Sequence, residues 1–588
     1  MPLKSINIPN LAGGLNLQDS PLLLDVQETT SAEGVYYSGN RVIRERGVAE
    51  FGGSFSGRAQ LLYNMVKSDA SEYLLLFTTD YIYVYNSTTE EWDKISDGYK
   101  TTETAGAASG TNVLTVADTT TVGNGDAKIA IGNKVVIELD NGTWQSNTVS
   151  GVTDDTDITL TDNLTDDVAI GNVIFRPREL THTTANAVDV SYWEYKEKLY
   201  ITNNVDRPLE FDGVTCEKML TLPTTTFICK ALLIYRDRLF LVNSTEDGTA
   251  YNQRIRWCKS LDPDVWDSTV DPDAGSNDFY DVPEHLLAIK ELNDMLIIYR
   301  EFSILRGQYV GSPTLLLSWK DVISKESALS YNAVFKDKTK HIVIGEEDIF
   351  SYTGGYIIES LSEKIHDFMH SLLSNIRTSN VWEAYAFKQP DLQEYWFCFT
   401  TQGVASVYKY NVITKVWSVA SYSGVLNAVG VYRDTHELTI DEVEDTIESY
   451  PYTIDDAFLA RERNRIMFDN DEQLLAYDIV NTEFDTVAID FDLQTKDFTA
   501  ESLKARTIRV DHLRVNLLAS AGIDIHYSTD SGATWAIYQE TVTGTLATMT
   551  DVYKQIIVDK IRFKFSGNDP SFQLGKITIY YIIEEEEN

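Results

Sequence analysis

The sequence predicts a mainly β protein: a β-propeller of about six blades, with a small inserted β-barrel or sandwich domain and a C-terminal β-sandwich. Short runs of Tyr, Ile, Val, Leu, Phe and Thr recur along the chain, among them YLLLF at 73–77, YIYVY at 81–85, LYIT at 199–202, LFLV at 239–242, MLIIY at 295–299, HIVI at 341–344 and YWFCF at 395–399. β-Branched and aromatic runs of this length, separated by turn residues, read as strands. Helical periodicity is scarce. Its best stretch is 361–376, where Leu361, Ile365, Phe368, Leu372 and Ile376 fall on one face.

The runs also line up as a loose repeat, with units starting near Tyr73, Tyr195, Tyr235, Asn293, Asp337 and Asp391, which lie 122, 40, 58, 44 and 54 residues apart. Turn phrases recur inside them: YKEKLY from Tyr195, YRDRLF from Tyr235 and FKDKTK from Phe335. The long first interval contains residues 101–175, which are rich in Thr, Gly, Asp and Val and carry the hairpin signal Asn141-Gly142. Setting that segment aside leaves units of ~40–50 residues, enough for four short strands each, as a propeller blade requires. A closed ring of such blades leaves no exposed sheet edge.

The organisation this implies is a 1–55 N-terminal docking segment and hairpin, a propeller body at 56–100 and 176–424, and an inserted small β-domain at 101–175. A connecting arm, extended or helical, follows at 425–479; there the triplets Thr439-Ile-Asp, Thr446-Ile-Glu and Thr453-Ile-Asp recur every seven residues, and Pro451 speaks against a coiled coil. Strand runs resume at 480–588 as a β-sandwich that ends in an acidic tail.

The 588 residues include 89 Asp+Glu against 49 Lys+Arg, so the formal charge is 49 − 89 = −40, while 43% of residues are hydrophobic. Such a chain buries real cores and is not a disordered acidic tail. The charge argues against nonspecific attraction to nucleic acid or anionic membrane. Four cysteines (Cys216, Cys229, Cys258 and Cys398) form no CxxC and no disulfide framework, so the sequence predicts buried free thiols made in a reducing compartment. No continuous apolar signal segment opens the chain, and no apolar run reaches the ~20 residues that span a bilayer.

Candidate chemistry is sparse. His366 and His370 stand one helical turn apart, as in zinc-binding HExxH enzymes, but Asp367 follows the first His where the catalytic Glu would stand; surface histidines and no metal are the expectation. Asp262, Asp264, Asp267, Asp271 and Asp273 gather in a Pro-punctuated loop that lacks the EF-hand order. No phosphate-binding, dinucleotide or nucleophile-elbow motif is present. The expectation is therefore a protein without catalytic residues or cofactors. Ser528, Asp530, Gly532 and Trp535 form an S-x-D-x-G-x-T-W phrase that resembles the Asp-box hairpin of sialidase propellers. Its physics is that of a turn: Ser and Asp side chains hydrogen-bond the backbone and Gly takes a positive φ. Arg254, Arg256, Arg300, Arg306, Tyr299 and Glu301 are of the types a sialidase would use, but no spacing singles them out.

The N-terminus reads INIPNLAGGLNLQDSPLLLDVQETTSAEGVYYSGNRVIRERGVAEFGG. Asn10, Leu11, Gly13, Gly14 and Leu15, followed later by Arg44, Arg46 and Gly47, resemble the opening phrase and hairpin of bacteriophage tail nozzle proteins (the tail tubular protein B family). The phrases RIRWCKSLDPDVW (254–266), DIFSYTGG (348–355) and TIDEVEDTIE (439–448) are similar to blade phrases of such virion proteins. The resemblance implies a structural virion protein: a homo-oligomeric, typically hexameric, ring in the tail. That ring would continue the portal and adaptor channel, retain packaged DNA, and let it pass at ejection without specific binding. Its implied partners are further copies of itself, tail adaptor or connector proteins, and tail fibre or tip proteins, with assembly in the host cytoplasm and no membrane insertion. The eight named N-terminal residues would then serve subunit docking, because a backbone without Cβ can pack closely on a neighbour or turn sharply. The alternative is a baseplate or receptor-binding protein that holds a host glycan, and behind it a propeller glycosidase.

Overall fold

The computed structural model describes residues 2–87, 89–95, 100–117, 119, 129, 131–154, 156–176, 188–213, 216–219, 221–312, 315–379, 384–389, 392–401, 404–423, 429–434, 463–469, 473–477, 483–484, 487–500 and 505–586. The protein is nearly all β, with one α-helix among the described residues. Its core repeat is a four-stranded antiparallel sheet. The first runs Ala59–Val66, Glu72–Thr78, Ile82–Asn86, Glu91–Ile95; the second, Asp189–Trp193, Lys198–Thr202, Leu209–Phe211, Cys216–Lys218; the third, Phe227–Tyr235, Arg238–Glu246, Thr249–Trp257, Gly275–Asp278. The fourth runs Leu286–Leu292, Met295–Arg300, Ser303–Ser312, Leu315–Ser324; the fifth, Val334–Asp337, Lys340–Ile344, Ile349–Tyr352, Ile358–Ser360; the sixth, Ala384–Gln389, Glu394–Thr401, Val404–Asn411, Trp417–Ser423.

The repeat starts read from the sequence sit at one corner of each of these sheets, close to the turn between first and second strands; Asp391 itself lies outside the described residues. That turn asks for left-handed backbone, supplied by Ala70, Glu197, Arg236 with Asp237, Asn293 with Asp294, Lys338 and Gln393, all at φ between 48° and 67°. Two consecutive left-handed residues, as at Arg236-Asp237 and Asn293-Asp294, give a turn whose twist matches that of the strands it joins.

A further sheet escaped the repeat reading. Val429–Asp434, Arg463–Asp469 and Leu474–Tyr477 pair in antiparallel order, Val48–Phe51 from the N-terminal segment pairs with Leu474–Tyr477, and the short strands Glu483–Phe484 and Val487–Ala488 follow beyond it. Residues 425–479, expected as a connecting arm, thus supply three strands. Their fourth partner is more than 400 residues away in sequence, so no contiguous repeat exists to be seen. The TIDEVEDTIE phrase lies outside the described residues.

Neighbouring sheets pack face to face, and the second strands explain why their sequences are apolar without alternation. Leu75 and Phe77 of the first sheet face Leu199 and Ile201 of the second, whereas Leu74 and Leu76 face Leu474 and Ala476 of the last. Leu239 and Leu241 pack on the second sheet, Phe240 and Val242 on the fourth. The same two-way division holds for Leu296 and Ile298 against Ile297 and Tyr299, and for Tyr395 and Phe397 against Trp396 and Cys398. Successive side chains of a strand point to opposite faces, so a strand covered on both sides must be apolar at every position. Hydrophobic clusters of this kind join each sheet to the next, and Leu474 and Ala476 of the last described sheet pack on the first. This is the packing of a β-propeller.

The remaining strands form a second body, continuous with the sixth sheet through the parallel pairing of Glu33 with Val419 in one 16-stranded hydrogen-bonded sheet. Ala505–Ser528 runs through its middle and pairs with Ala536–Gly544, Thr550–Val558, Lys560–Gly567 and Gln573–Glu586. The N-terminal segment is woven into it: Lys4–Ile8 pairs with Gln573–Glu586, Glu28–Glu33 with Phe491–Thr495, and the hairpin of Val35–Ser38 and Arg41–Arg44 meets Gln573 and Leu574. Residues 101–175 form their own six-stranded sheet around Val135, Ile137, Ile158 and Ile174, attached beyond the outer strand of the first sheet. The helix spans His366–Ser379 after a 3-10 turn at Glu363–Ile365. The turn buries Ile365 and the helix Met369, Leu373 and Ile376, while Phe368 is exposed; the apolar stripe is rotated from the expected one because Met369 and Leu373 face the core.

Candidate functional site

The residues that carry the family resemblance converge on the seam between ring and second body. Asn10 accepts a hydrogen bond from the Ala12 amide through Oδ1 at 3.2 Å, which turns the chain so that Leu11 is fully buried. Gly13 donates its amide to Gln27 O at 3.0 Å, and a Cβ there would lie 2.7 Å from the Gln27 carbonyl carbon. Gly14, at φ +76°, would put a Cβ 2.5 Å from that of Val416; with Leu15 it pairs in parallel with Glu28 and Thr29. Both glycines are thus demanded by close backbone approach within the chain.

Arg44 is buried and donates Nε to Ile489 O at 2.8 Å; Arg46 lies with its guanidinium 5.9 Å over the Tyr36 ring. Gly47 meets the tightest approach of all, since a Cβ there would sit 1.8 Å from Glu483 O. Between these residues stands Glu45, which the sequence reading passed over. Its carboxylate is buried against the Lys409 ammonium and accepts from Tyr477 Oη at 2.9 Å. Lys409 Nζ also lies 4.1 Å over the Trp396 ring, and Trp396 Nε1 donates to Glu394 Oε2 at 2.9 Å. One buried cluster therefore ties the N-terminal segment (Glu45) to the sixth sheet (Glu394, Trp396, Lys409) and the last (Tyr477). Burial, with the Glu45 charge adding to it and Lys409 opposing, pushes the Glu394 carboxyl up to about 7. Burial likewise raises the Tyr477 and Tyr422 phenols and the Cys398 thiol.

A signal for this cluster exists in the sequence. Val407, Lys409 and Asn411 share a strand face, so a lysine stands in register with a buried valine, and a lysine so placed needs a charged partner. What the sequence does not carry is the partner's address, 364 residues upstream.

The other candidates resolve into local structure. In the Asp-box turn, Ser528 Oγ donates to Asp530 Oδ1 at 2.6 Å and accepts from Gly532 N at 2.8 Å, while Asp530 accepts from Thr534 N and Oγ1 at 2.9 and 2.6 Å. Gly532 sits at φ +91°, and Trp535 lies half-buried with Lys564 Nζ 5.0 Å over its ring. These bonds hold the Asp530 carboxyl well below the usual carboxylate range. His366 and His370 stack at 6.3 Å on the exposed side of the helix, and no group of three or more metal-ligating side chains occurs among the described residues. In the acidic loop, Asp267 and Asp271 accept backbone amides of Thr269 and Asp273, and Asp273 pairs with Arg238. Arg254 is bidentate to Asp278 at 2.7 and 2.9 Å and Arg256 to Glu246 at 3.1 and 2.6 Å. Arg300 Nη1 donates to Asp321 at 3.0 Å and Arg306 Nη1 to Gly354 O at 2.9 Å, so the arginines do not converge on one anion site. All four cysteines are buried free thiols. Among the described residues, no helix is long and apolar enough to cross a membrane.

No family model matches the chain, and no curated protein does. Solved structures with similar repeated sheets include the extracellular domain of the hybrid two-component system BT4673 from B. thetaiotaomicron (9% identity, 74% of this chain and 52% of that one, TM-score 0.25). They also include the WD40 propeller domain of Doa1 (8%, 64% and 95%, TM-score 0.28) and BamB from Moraxella catarrhalis (8%, 63% and 98%, TM-score 0.25). The chain spans about half the length of the first of these. Scores this low carry no argument about function.

Proposed function

We propose that this protein is a structural subunit of a bacteriophage tail, a nozzle-type component that forms a homo-oligomeric ring, six copies on the family's pattern. The ring would continue the portal and adaptor channel and let DNA pass at ejection. In the same reading the seven sheets are blades of one closed propeller, sealed by Val48–Phe51, with 101–175 as a peripheral domain and the C-terminal strands as a sandwich. The observation that supports it is the seam. The N-terminal phrase on which the resemblance rests is fixed by close backbone approaches and a buried charge cluster, as befits a part built to transmit load rather than a loose leader. The charge of −40 fits the role: duplex DNA carries about one negative charge per 1.7 Å, and a wall that gripped phosphate would slow its passage. Electron cryo-microscopy of the particle tests the reading. The expected result is a ring at the tail axis, wide enough for duplex DNA, with an acidic or neutral lumen. A peripheral monomer, or a lumen lined by lysine and arginine, would overturn it.

A further inference from the structure

The outer part of the third sheet carries a cleft that the tail reading does not use. It is lined by Tyr251, Asn252, Gln253, Arg254, Asp278 and Tyr280, with His285 at its rim. The backbone explains its shape. Phe279 continues the strand pairing by donating its amide to Gln253 O at 3.0 Å, and its ring turns inward to meet Trp319 edge-on at 5.0 Å. Strand alternation then sends Tyr280 outward, where it is 68% exposed.

The polar groups around it are already fixed. Tyr280 Oη donates to Asp278 Oδ2 at 2.9 Å, and the same carboxylate holds Arg254 by two bonds. The Arg254 guanidinium lies 3.6 Å over the Tyr251 ring. Gln253 Nε2 donates to Val282 O at 2.6 Å; Asn252 Nδ2 is 3.2 Å from His285 Nε2, whose other ring nitrogen is 3.5 Å from Glu301. Both guanidinium groups are paired: Arg254 stands against Asp278 and Glu246, and Arg256 against Glu246. The floor therefore offers no unpaired cation, and Asp281 and Glu284 stand beside it in the chain.

We propose that this cleft binds a neutral carbohydrate. A sugar ring offers an apolar C–H face that stacks on a bare, rigid aromatic ring, and hydroxyls that pair with planar amide, carboxylate and guanidinium groups held in advance. Tyr280 supplies the ring; Asn252, Asp278 and Arg254 supply the planar groups. An anionic ligand finds no uncompensated cation here, and an apolar peptide finds too many polar groups to desolvate. The proposal is independent of the tail assignment and concerns binding alone.

The test uses the full chain titrated with cellohexaose, maltohexaose and β-1,4-galactohexaose, read by calorimetry and by saturation transfer from protein aromatic protons. Saturable binding of at least one is expected. Tyr280→Ala and Asn252→Ala should each weaken it at least tenfold with an unchanged thermal midpoint. Tyr280→Phe, which keeps the ring face, should stay within about threefold of the parent. Tyr356→Ala, which removes an exposed ring on the fifth sheet, should leave binding unchanged. The proposal is overturned if none of the three sugars saturates, if Tyr280→Ala binds as the parent does, or if dextran sulfate binds the cleft while all three neutral sugars fail.

Discussion

The 101–175 insert and the N-terminal segment are both small β elements attached to the ring, yet they are built on opposite plans. Among the described residues, every strand of the insert pairs within the insert, and its core contains no residue from outside it. Its entry and exit strands lie side by side, with Lys100 opposite Phe175 and Thr102 opposite Val173. The N-terminal segment owns no core. Apart from one hairpin and one short parallel pairing of its own, its strands pair with partners between Val419 and Tyr581, and its side chains fill a cluster shared with the fifth and sixth sheets and the C-terminal body. A locally closed element can be gained or lost without consequence for the rest; an interlaced one holds the rest together.

That difference is broken most directly by deletion. Replacing 101–174 with a short Gly-Ser linker should leave a chain that unfolds cooperatively, because directly paired residues are only ~5 Å apart and the linker spans them easily. Removing 1–51 should yield insoluble or molten protein, since it takes away a strand of the last sheet and five of the second body. Circular dichroism with thermal melting of both chains decides this, and equal outcomes would sink the contrast.

Single glycines sharpen it. Gly47→Ala forces a Cβ to 1.8 Å from Glu483 O, which backbone must move to relieve, and a loss of about 4 kcal/mol is expected. Gly142→Ala in the insert meets open space at φ +81° and should cost only about 1 kcal/mol. Urea titration measures both. Lys409→Met comes next: it leaves Glu45 buried without its cation, and ~3–5 kcal/mol is the usual consequence. Adding Glu45→Gln to that variant should recover a large part of the loss. If the double variant is no better than the single, the charge pair is not what holds the seam.

The legible and illegible parts of the molecule divide along the same line. YLLLF, LFLV, MLIIY and YWFCF announce strands buried on both faces, and the YRDRLF and LNDML corners announce their turns, because strand and turn chemistry reside in adjacent residues. The insert is legible for the same reason. The last sheet is not, since one of its strands is borrowed from Val48–Phe51. Nor is the seam: Gly47 announces a tight place but not that Glu483 causes it, and Lys409 announces a buried charge but not Glu45. The residues named for docking stood out for their glycines and arginines, and the structure engages them in contacts inside the chain.

Glu394 distinguishes the two elements by pH. Its carboxyl is held up to about 7 in the folded chain against an ordinary 4.5. As pH rises past ~4.5 the unfolded chain gives up this proton while the folded chain keeps it, so stability falls until about pH 7 and is flat above. The full span corresponds to on the order of 3 kcal/mol. Asp189 and Glu326 are pushed up to about 7 as well, so the whole-chain curve will slope even in Glu394→Gln. Hydrogen exchange isolates the local share. Amides of Val48–Phe51 and Leu474–Tyr477, corrected for intrinsic rates, should be better protected at pH 5.5 than at pH 7.5. Glu394→Gln should abolish that difference at the seam and leave the insert untouched. A seam whose protection does not respond to this substitution would place its pH dependence elsewhere and reduce Glu394 to packing.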